Sequence, residues 1–262
     1  MMITIPEYLY KYRSFDKNEY WKDIFENNRL YMASPLGFND PFEGQLFPFT
    51  SGSAGNTINL HVGGFNRDVG QFLNEYKVLS LTGNIRNKAM WAYYADNYNG
   101  FAIQFKTNGG FSSAQRVIYR SDNEKIPCQN IHGRLKAKDV VQKCLLYKSD
   151  DWRGENEFRI IQEGEREEKI FFNFNSDDIV SVIIGGTQNK FAWKYDSFSN
   201  IDEDEVERIQ EAKGELIDIC KDKGILIRYM WLVPIYSRIE FYSRKEPRWD
   251  GSSYRDFIDT DI

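Results

Sequence analysis

An α+β fold with a mostly antiparallel, mixed sheet flanked by helices follows from three features of the chain. Short stretches with two-residue alternation or a continuous apolar run recur from end to end. A few longer stretches carry apolar residues at helical spacing instead. No internal repeat and no linker-like composition breaks the chain, so residues 1–243 are expected to form a single domain followed by a polar tail, 244–262.

The elements follow in order. Tyr8 to Arg13 (YLYKYR) reads as the first strand, with Leu9, Lys11 and Arg13 on one face and Tyr8, Tyr10 and Tyr12 on the other. Asp16 followed by Glu19 resembles a capping box and predicts a helix through about Asn28, with Tyr20, Trp21, Ile24 and Phe25 at helical spacing. Leu30 to Ala33 is a short strand, ended by the fixed turn SPLGFNDPFE. Asn39 and Asp40 in that turn are expected to bond its backbone. Phe47 to Gly70 is a long loop rich in Gly, Ser, Asn and Thr.

Val78 to Leu81 is a strand, Asn87 to Asn97 a helix, and Phe101 to Phe105 a further strand. Arg116 to Arg120 reads as another strand, residues 121–134 as irregular, and Leu135 to Tyr147 as an amphipathic helix. Ile170 to Phe174 and Ile179 to Ile184 are strands. The Gly185-Gly186-Thr187 that follows lacks the spacing of a nucleotide-binding glycine loop and reads as a turn. Asp202 to Lys223 is a helix closed by Gly224, and Ile225 to Tyr236 and Ile239 to Tyr242 supply the last strands.

Composition narrows the function classes. An aromatic share of 16% favours strands and aromatic-lined pockets. A net charge of -5 without a basic cluster offers a phosphate backbone no docking face, which argues against nucleic-acid binding as the main activity. Cys128, Cys144 and Cys220 are far apart with no C-x-x-C, as in a reducing cytoplasm. With His61 and His132 as the only histidines, no metal is expected. No apolar run approaches bilayer length and no signal pattern opens the chain, so a cytoplasmic protein with no membrane partner is expected.

The stretch Lys148 to Gln162, KSDDWRGENEFRIIQ, carries the candidate chemistry. Its alternation from Glu155 predicts a strand with Glu155, Glu157 and Arg159 on one face and Phe158 and Ile160 on the other. Two carboxylates beside an arginine form a candidate reactive site. The competing reading is an ion-paired, solvent-facing sheet surface.

Four segments, LYKYRS, NNRLYMASPLGFNDPFE, MWAYYADNYNGFAIQF and KSDDWRGENEFRII, together resemble the bacterial family catalogued as domain of unknown function 2971, over about residues 9–185. Two positions depart from its pattern: Tyr93, where the family commonly has His, and Gly154, where it has an aromatic. The family layout is in turn similar to the ADP-ribosyltransferase superfamily, which implies an ADP-ribosyltransferase-like fold and NAD as substrate. By that resemblance Lys11 falls where a first-strand His holds the nicotinamide nucleotide, Glu157 at the catalytic glutamate and Glu155 at its companion. Bacterial enzymes of this kind often serve as toxins or anti-phage defence effectors, with a protein or nucleic-acid acceptor and a regulatory partner protein.

Cleavage of the nicotinamide–ribose bond passes through an oxocarbenium-like state, which a fixed carboxylate stabilises more than the ground state. The resemblance assigns that role to Glu157. Lys11 and Arg13 suit the pyrophosphate. Trp91 or Tyr94 either stacks on nicotinamide or packs the core. Arg159 either holds a glutamate for the cofactor or neutralises it within the sheet. Two other classes compete: a non-catalytic ligand-sensing or protein-interaction domain on the same fold, and a glycosidase. The glycosidase ranks last, because side chains two apart on a strand point the same way, about 7 Å apart, and cannot flank a sugar.

Overall fold

The computed structural model describes residues 5–40, 73–121, 141–165, 167–186, 203–233 and 238–243. The expected loop Phe47–Gly70, the irregular stretch after residue 121, the start of the helix expected from Leu135, Thr187 and the tail past Arg244 lie outside these residues. The architecture is α+β with mostly antiparallel strand pairing. The chain divides into two compact units, one drawn from Leu30–Leu81 and Ser113–Phe172, the other from Pro6–Arg29, Thr82–Ser112 and the residues from Asn173 onward.

The second unit is built on β1 (Tyr8–Arg13), β4 (Phe101–Lys106), β10 (Ile179–Ile184), β11 (Leu226–Val233) and β12 (Arg238–Tyr242). Their order is β12-β11-β10-β4-β1. Only β10 and β11 among them run parallel, and the helix Glu203–Asp222 makes the crossover such a pair requires. Gly224, at φ +68°, ends that excursion in the left-handed region that glycine adopts without strain.

One sheet face carries Tyr10, Tyr12, Ala102, Ile183, Met230 and Phe241, covered by Trp91 and Ala95. The other packs rings: Phe101 lies 5.0 Å from Phe15 and 6.1 Å from Trp21, and Phe105 lies 4.5 Å from Phe111. The turn into β4 depends on Gly100, where a Cβ would collide with the Arg13 carbonyl oxygen. Gly185 likewise lies against the backbone of Tyr98 and Gly100, so close approach of chains accounts for this glycine.

Two helix expectations are corrected at their ends. The first helix covers only Lys22–Glu26. Asp16 does accept from backbone N–H groups, those of Asn18 and Tyr20 at 3.1 Å each, but Glu19 takes φ 57°. That left-handed residue keeps the chain from entering the helix at Asp16. Trp21, Ile24 and Phe25 are buried, while Tyr20 is exposed. The helix predicted from Asn87 runs Lys88–Tyr94, with Asn87 as its N-cap accepting from the N–H of Ala89 at 2.8 Å and Met90 at 3.4 Å. Left-handed Asp96, Asn97 and Tyr98 stop it three residues earlier than expected.

The first unit holds β3 (Tyr76–Thr82), of which all but Thr82 belongs here, with β8 (Glu157–Glu163) and β5 (Gln115–Arg116) in the order β3-β8-β5. A parallel pair, β6 (Ile118–Arg120) and β7 (Tyr147–Ser149), also lies here, as does the pair β2 (Arg29–Tyr31) and β9 (Phe171–Asn173) apart from their end residues Arg29 and Asn173. The strand predicted over Arg116 to Arg120 is therefore two. Arg116 pairs with Phe158, whereas Ile118 pairs with Tyr147, because buried Val117 marks where the chain changes partner. The core of this unit joins Leu73, Tyr76, Val78, Val141 and Leu145, with Phe38 and Ile161 against them.

Candidate functional site

The predicted strand over Glu155 to Ile160 begins two residues late. Asp150 to Glu155 form a 3-10 helix, tied by Arg153 Nε donating to Asp150 at 2.5 Å. Asn156 then turns left-handed at φ 43°, and β8 starts at Glu157. Asn tolerates that conformation better than most residues, which is why the alternation fails here. Glu155 is thus on a helical turn, and Glu157 and Arg159 are on the strand.

The two carboxylates nevertheless meet, through a cation the sequence reading passed over. Lys148, on β7, donates from Nζ to Glu155 Oε2 at 2.6 Å and to Glu157 Oε2 at 3.3 Å. Arg159 grips Glu157 with a fork, Nε to Oε1 at 2.7 Å and one terminal nitrogen to Oε2 at 2.8 Å. Its other terminal nitrogen donates to the Leu145 carbonyl at 2.6 Å. The backbone N–H of Glu157 donates to the Tyr119 hydroxyl at 2.8 Å, and the Ser80 side chain bonds the Glu157 carboxylate. All four charged side chains are buried, Arg159 to 1% exposure. The solvent-facing, ion-paired sheet surface considered from the sequence is half right: the ions pair, but away from water.

Apolar surfaces close the cluster. The Phe38 ring lies 5.2 Å from the Arg159 guanidinium and the Trp152 ring 4.9 Å from the Lys148 ammonium. Burial pushes the Glu157 carboxyl up from the usual carboxylate range, and the Lys148 ammonium opposes the rise. Burial pulls the Arg159 guanidinium down to about 9, opposed by the Asp40 carboxylate, so it stays charged at neutral pH. Asp40, expected to pin its turn, is buried and sets its charge against Arg159. Tyr119 is held protonated by burial, with Glu157 accounting for smaller opposing and reinforcing effects.

Glu155, Glu157 and Arg159 are therefore brought together, as expected. Lys11, Arg13, Trp91 and Tyr94 belong to the other unit. There Lys11 and Arg13 are half-buried on β1. The buried Nε of Arg13 finds no acceptor among the described residues, and burial lowers the guanidinium's proton affinity against the pull of Asp16. Trp91 is a core residue at 0% exposure; its indole N–H donates to the Ile85 carbonyl at 2.8 Å and its ring meets the edge of Tyr12 at 5.0 Å. Tyr94 packs against the same cluster.

Lys148, Tyr119, Ser80, Trp152 and Asp40 were missed as members of the carboxylate cluster. Lys148 opens the very stretch singled out for its chemistry, which was the one available signal. Its contact with both glutamates depends on the pairing of β6 with β7, which no local pattern announces.

Among the described residues no group of three or more His, Cys, Asp or Glu is arranged to hold a metal ion, and no helix is long and apolar enough to cross a membrane. Comparison with curated proteins and with solved structures finds no match. A family model described as "Protein of unknown function (DUF2971)" matches residues 90–160, a span that runs from the helix Lys88–Tyr94 to the carboxylates and Arg159, and this match supports the family resemblance carried by those motifs.

Proposed function

We propose that the chain is an NAD-consuming enzyme, an ADP-ribosyltransferase or NAD glycohydrolase, with Glu157 as the carboxylate that stabilises the ribosyl cation and Glu155 as its companion. One observation carries this reading: two glutamates share a lysine in a setting buried from water. A carboxylate held among fixed donors away from water acts strongly on a charge that develops beside it. Strongly perturbed groups of this kind concentrate at functional sites. A toxin or anti-phage role, with a protein or nucleic-acid acceptor and a regulatory partner, accompanies this reading as the use to which such an activity is put.

The test is incubation of the purified protein with NAD, following free nicotinamide, ADP-ribose and label transfer. Glu157→Gln removes the charge with little change of shape, so kcat should fall by about a hundredfold or more, equivalent to roughly 3 kcal/mol, with KM little changed. Glu155→Gln should keep hydrolysis and lose transfer to an acceptor. Circular dichroism and melting curves control for folding. Undiminished cleavage by Glu157→Gln defeats the mechanism.

A second reading, a non-catalytic ligand-sensing or protein-interaction domain, is favoured by one specific feature. Both oxygens of Glu157 already accept hydrogen bonds, from Arg159 and Lys148. Absence of nicotinamide release from the wild type, under conditions where the fold is intact, selects this reading over the first.

A further inference from the structure

Glu157, the first residue of β8, is held by its backbone as well as by its carboxylate. Arg116 pairs with Phe158, so the same antiparallel register sets Val117 opposite Glu157. Opposed residues at a hydrogen-bonded position exchange two bonds, each N–H donating to the other's carbonyl. Half of that exchange is present: the Val117 N–H donates to the Glu157 carbonyl at 2.9 Å. The return bond goes elsewhere. The Glu157 N–H donates to the Tyr119 hydroxyl at 2.8 Å in place of the Val117 carbonyl.

The course of the chain after Val117 explains the exchange of partners. The Ile118 N–H donates to the Leu146 carbonyl at 2.7 Å, and from there β6 pairs with β7. The backbone thus leaves β8 one bond early, and a side chain two residues further on completes the pair. Tyr119 stands opposite Lys148 in the β6–β7 pair, so both side chains leave the ribbon on one face. These two neighbours hold Glu157 at both ends: Lys148 bonds its carboxylate at 3.3 Å and Tyr119 its amide. The Arg153 guanidinium, from the turn before Glu157, lies 5.7 Å from the Tyr119 ring.

That amide sits where the aim of the Glu157 side chain is decided. Asn156, at φ 43°, joins the 3-10 turn to the strand. The planar peptide between Asn156 and Glu157 carries the Glu157 N–H. A fixed acceptor for this N–H therefore fixes the plane, and with it the direction in which the side chain departs.

We infer that Tyr119 is a positioning residue for Glu157: its hydroxyl takes the place of a backbone carbonyl in the ladder and sets the direction of the carboxylate. The effect on catalysis rests on the NAD-cleavage reading, whereas the effect on the Glu157 amide does not. A misplacement of about 1 Å can cost a reacting group roughly a hundredfold in rate.

The test is Tyr119→Phe in the full chain, with Tyr147→Phe as its control. The first variant keeps the ring beside Arg153 and removes only the acceptor. The second removes a hydroxyl from the same ribbon, at the residue that pairs with Ile118. Amide hydrogen exchange, followed by NMR on protein carrying isotope-labelled glutamate, reads the bond directly. The Glu157 signal, assigned by its loss in Glu157→Gln, should be protected in the wild type and in Tyr147→Phe. In Tyr119→Phe it should exchange about tenfold faster or more, while Glu163, at the far end of β8, exchanges as before. Nicotinamide release by Tyr119→Phe should show kcat lowered about tenfold or more and KM within about twofold, since the hydroxyl acts through Glu157 and not on the substrate. An unprotected Glu157 amide in the wild type overturns the assignment whether or not the variant folds. Equal protection in Tyr119→Phe, equal acceleration at Glu163 or in Tyr147→Phe, or an unchanged kcat beside an active wild type overturns it as well. A wild type that releases no nicotinamide defeats the NAD reading instead and leaves the exchange measurement to decide the role of Tyr119.

Discussion

Replacing Lys148 by Met tests how much the ammonium shared by the two buried carboxylates contributes to the fold. Lys148→Met keeps the length of the chain and deletes the charge between Glu155 and Glu157. At an effective dielectric of about 20, contacts of 2.6 and 3.3 Å correspond to roughly 6 and 5 kcal/mol of gross attraction. Desolvation of the ammonium offsets much of this in the wild type. The variant escapes that cost but leaves two buried carboxylates facing each other, so the net loss should be about 3–5 kcal/mol. In Tm this is on the order of 10 °C for a chain of this size.

The penalty should also depend on pH. The folded-state proton affinity of Glu157 is raised by burial, so its contribution to stability is full below the ordinary carboxylate range and is lost as pH rises through the folded value. Lys148 opposes that rise, and without it the folded value climbs further. Lys148→Met should therefore cost more at pH 8 than at pH 5, as read from urea melts at both. Adding Glu155→Gln removes one of the two like charges and should recover part of the loss, a coupling visible in a double-mutant cycle. A Lys148→Met protein as stable as the wild type at pH 8, with no pH dependence of the difference, would refute the buried-network account.

Three further outcomes follow from particular contacts. Asn87→Ala removes the acceptor for two N–H groups at the start of the helix Lys88–Tyr94 and should cost about 1 kcal/mol in a denaturant melt. Gly100→Ala forces a Cβ toward the Arg13 carbonyl across β1 and β4, so a loss near the upper end of about 1–3 kcal/mol is expected from the same measurement. Cys144 and Cys220 are both buried and burial pushes the Cys220 thiol up to about 12. Iodoacetamide at pH 8 should therefore leave both unmodified in the native protein and label both in urea, read by mass spectrometry of the peptides.

Local pattern alone determined much of the architecture. The alternation of YLYKYR placed Lys11 and Arg13 opposite the tyrosines of β1, and the apolar run from Ile179 to Ile184 located β10. The acid-started stretch closed by Gly224 located the helix Glu203–Asp222 almost to the residue. These elements are set by spacing along the chain, which a sequence displays directly. Glu157 and Arg159 were legible in the same way, as same-face neighbours on a strand. What a sequence does not display is which cation comes to a carboxylate from another strand, or which side of an element water reaches. Only the tertiary structure decided that Glu155 leaves the strand at a left-handed Asn156 and is returned to Glu157 by Lys148. The same holds for the break at Val117, where one apparent strand divides between two partners, and for Gln104 and Arg228, 124 residues apart, which meet in a buried hydrogen bond. Burial and long-range pairing are properties of the whole fold, and they turn ordinary charged and polar residues into candidate sites.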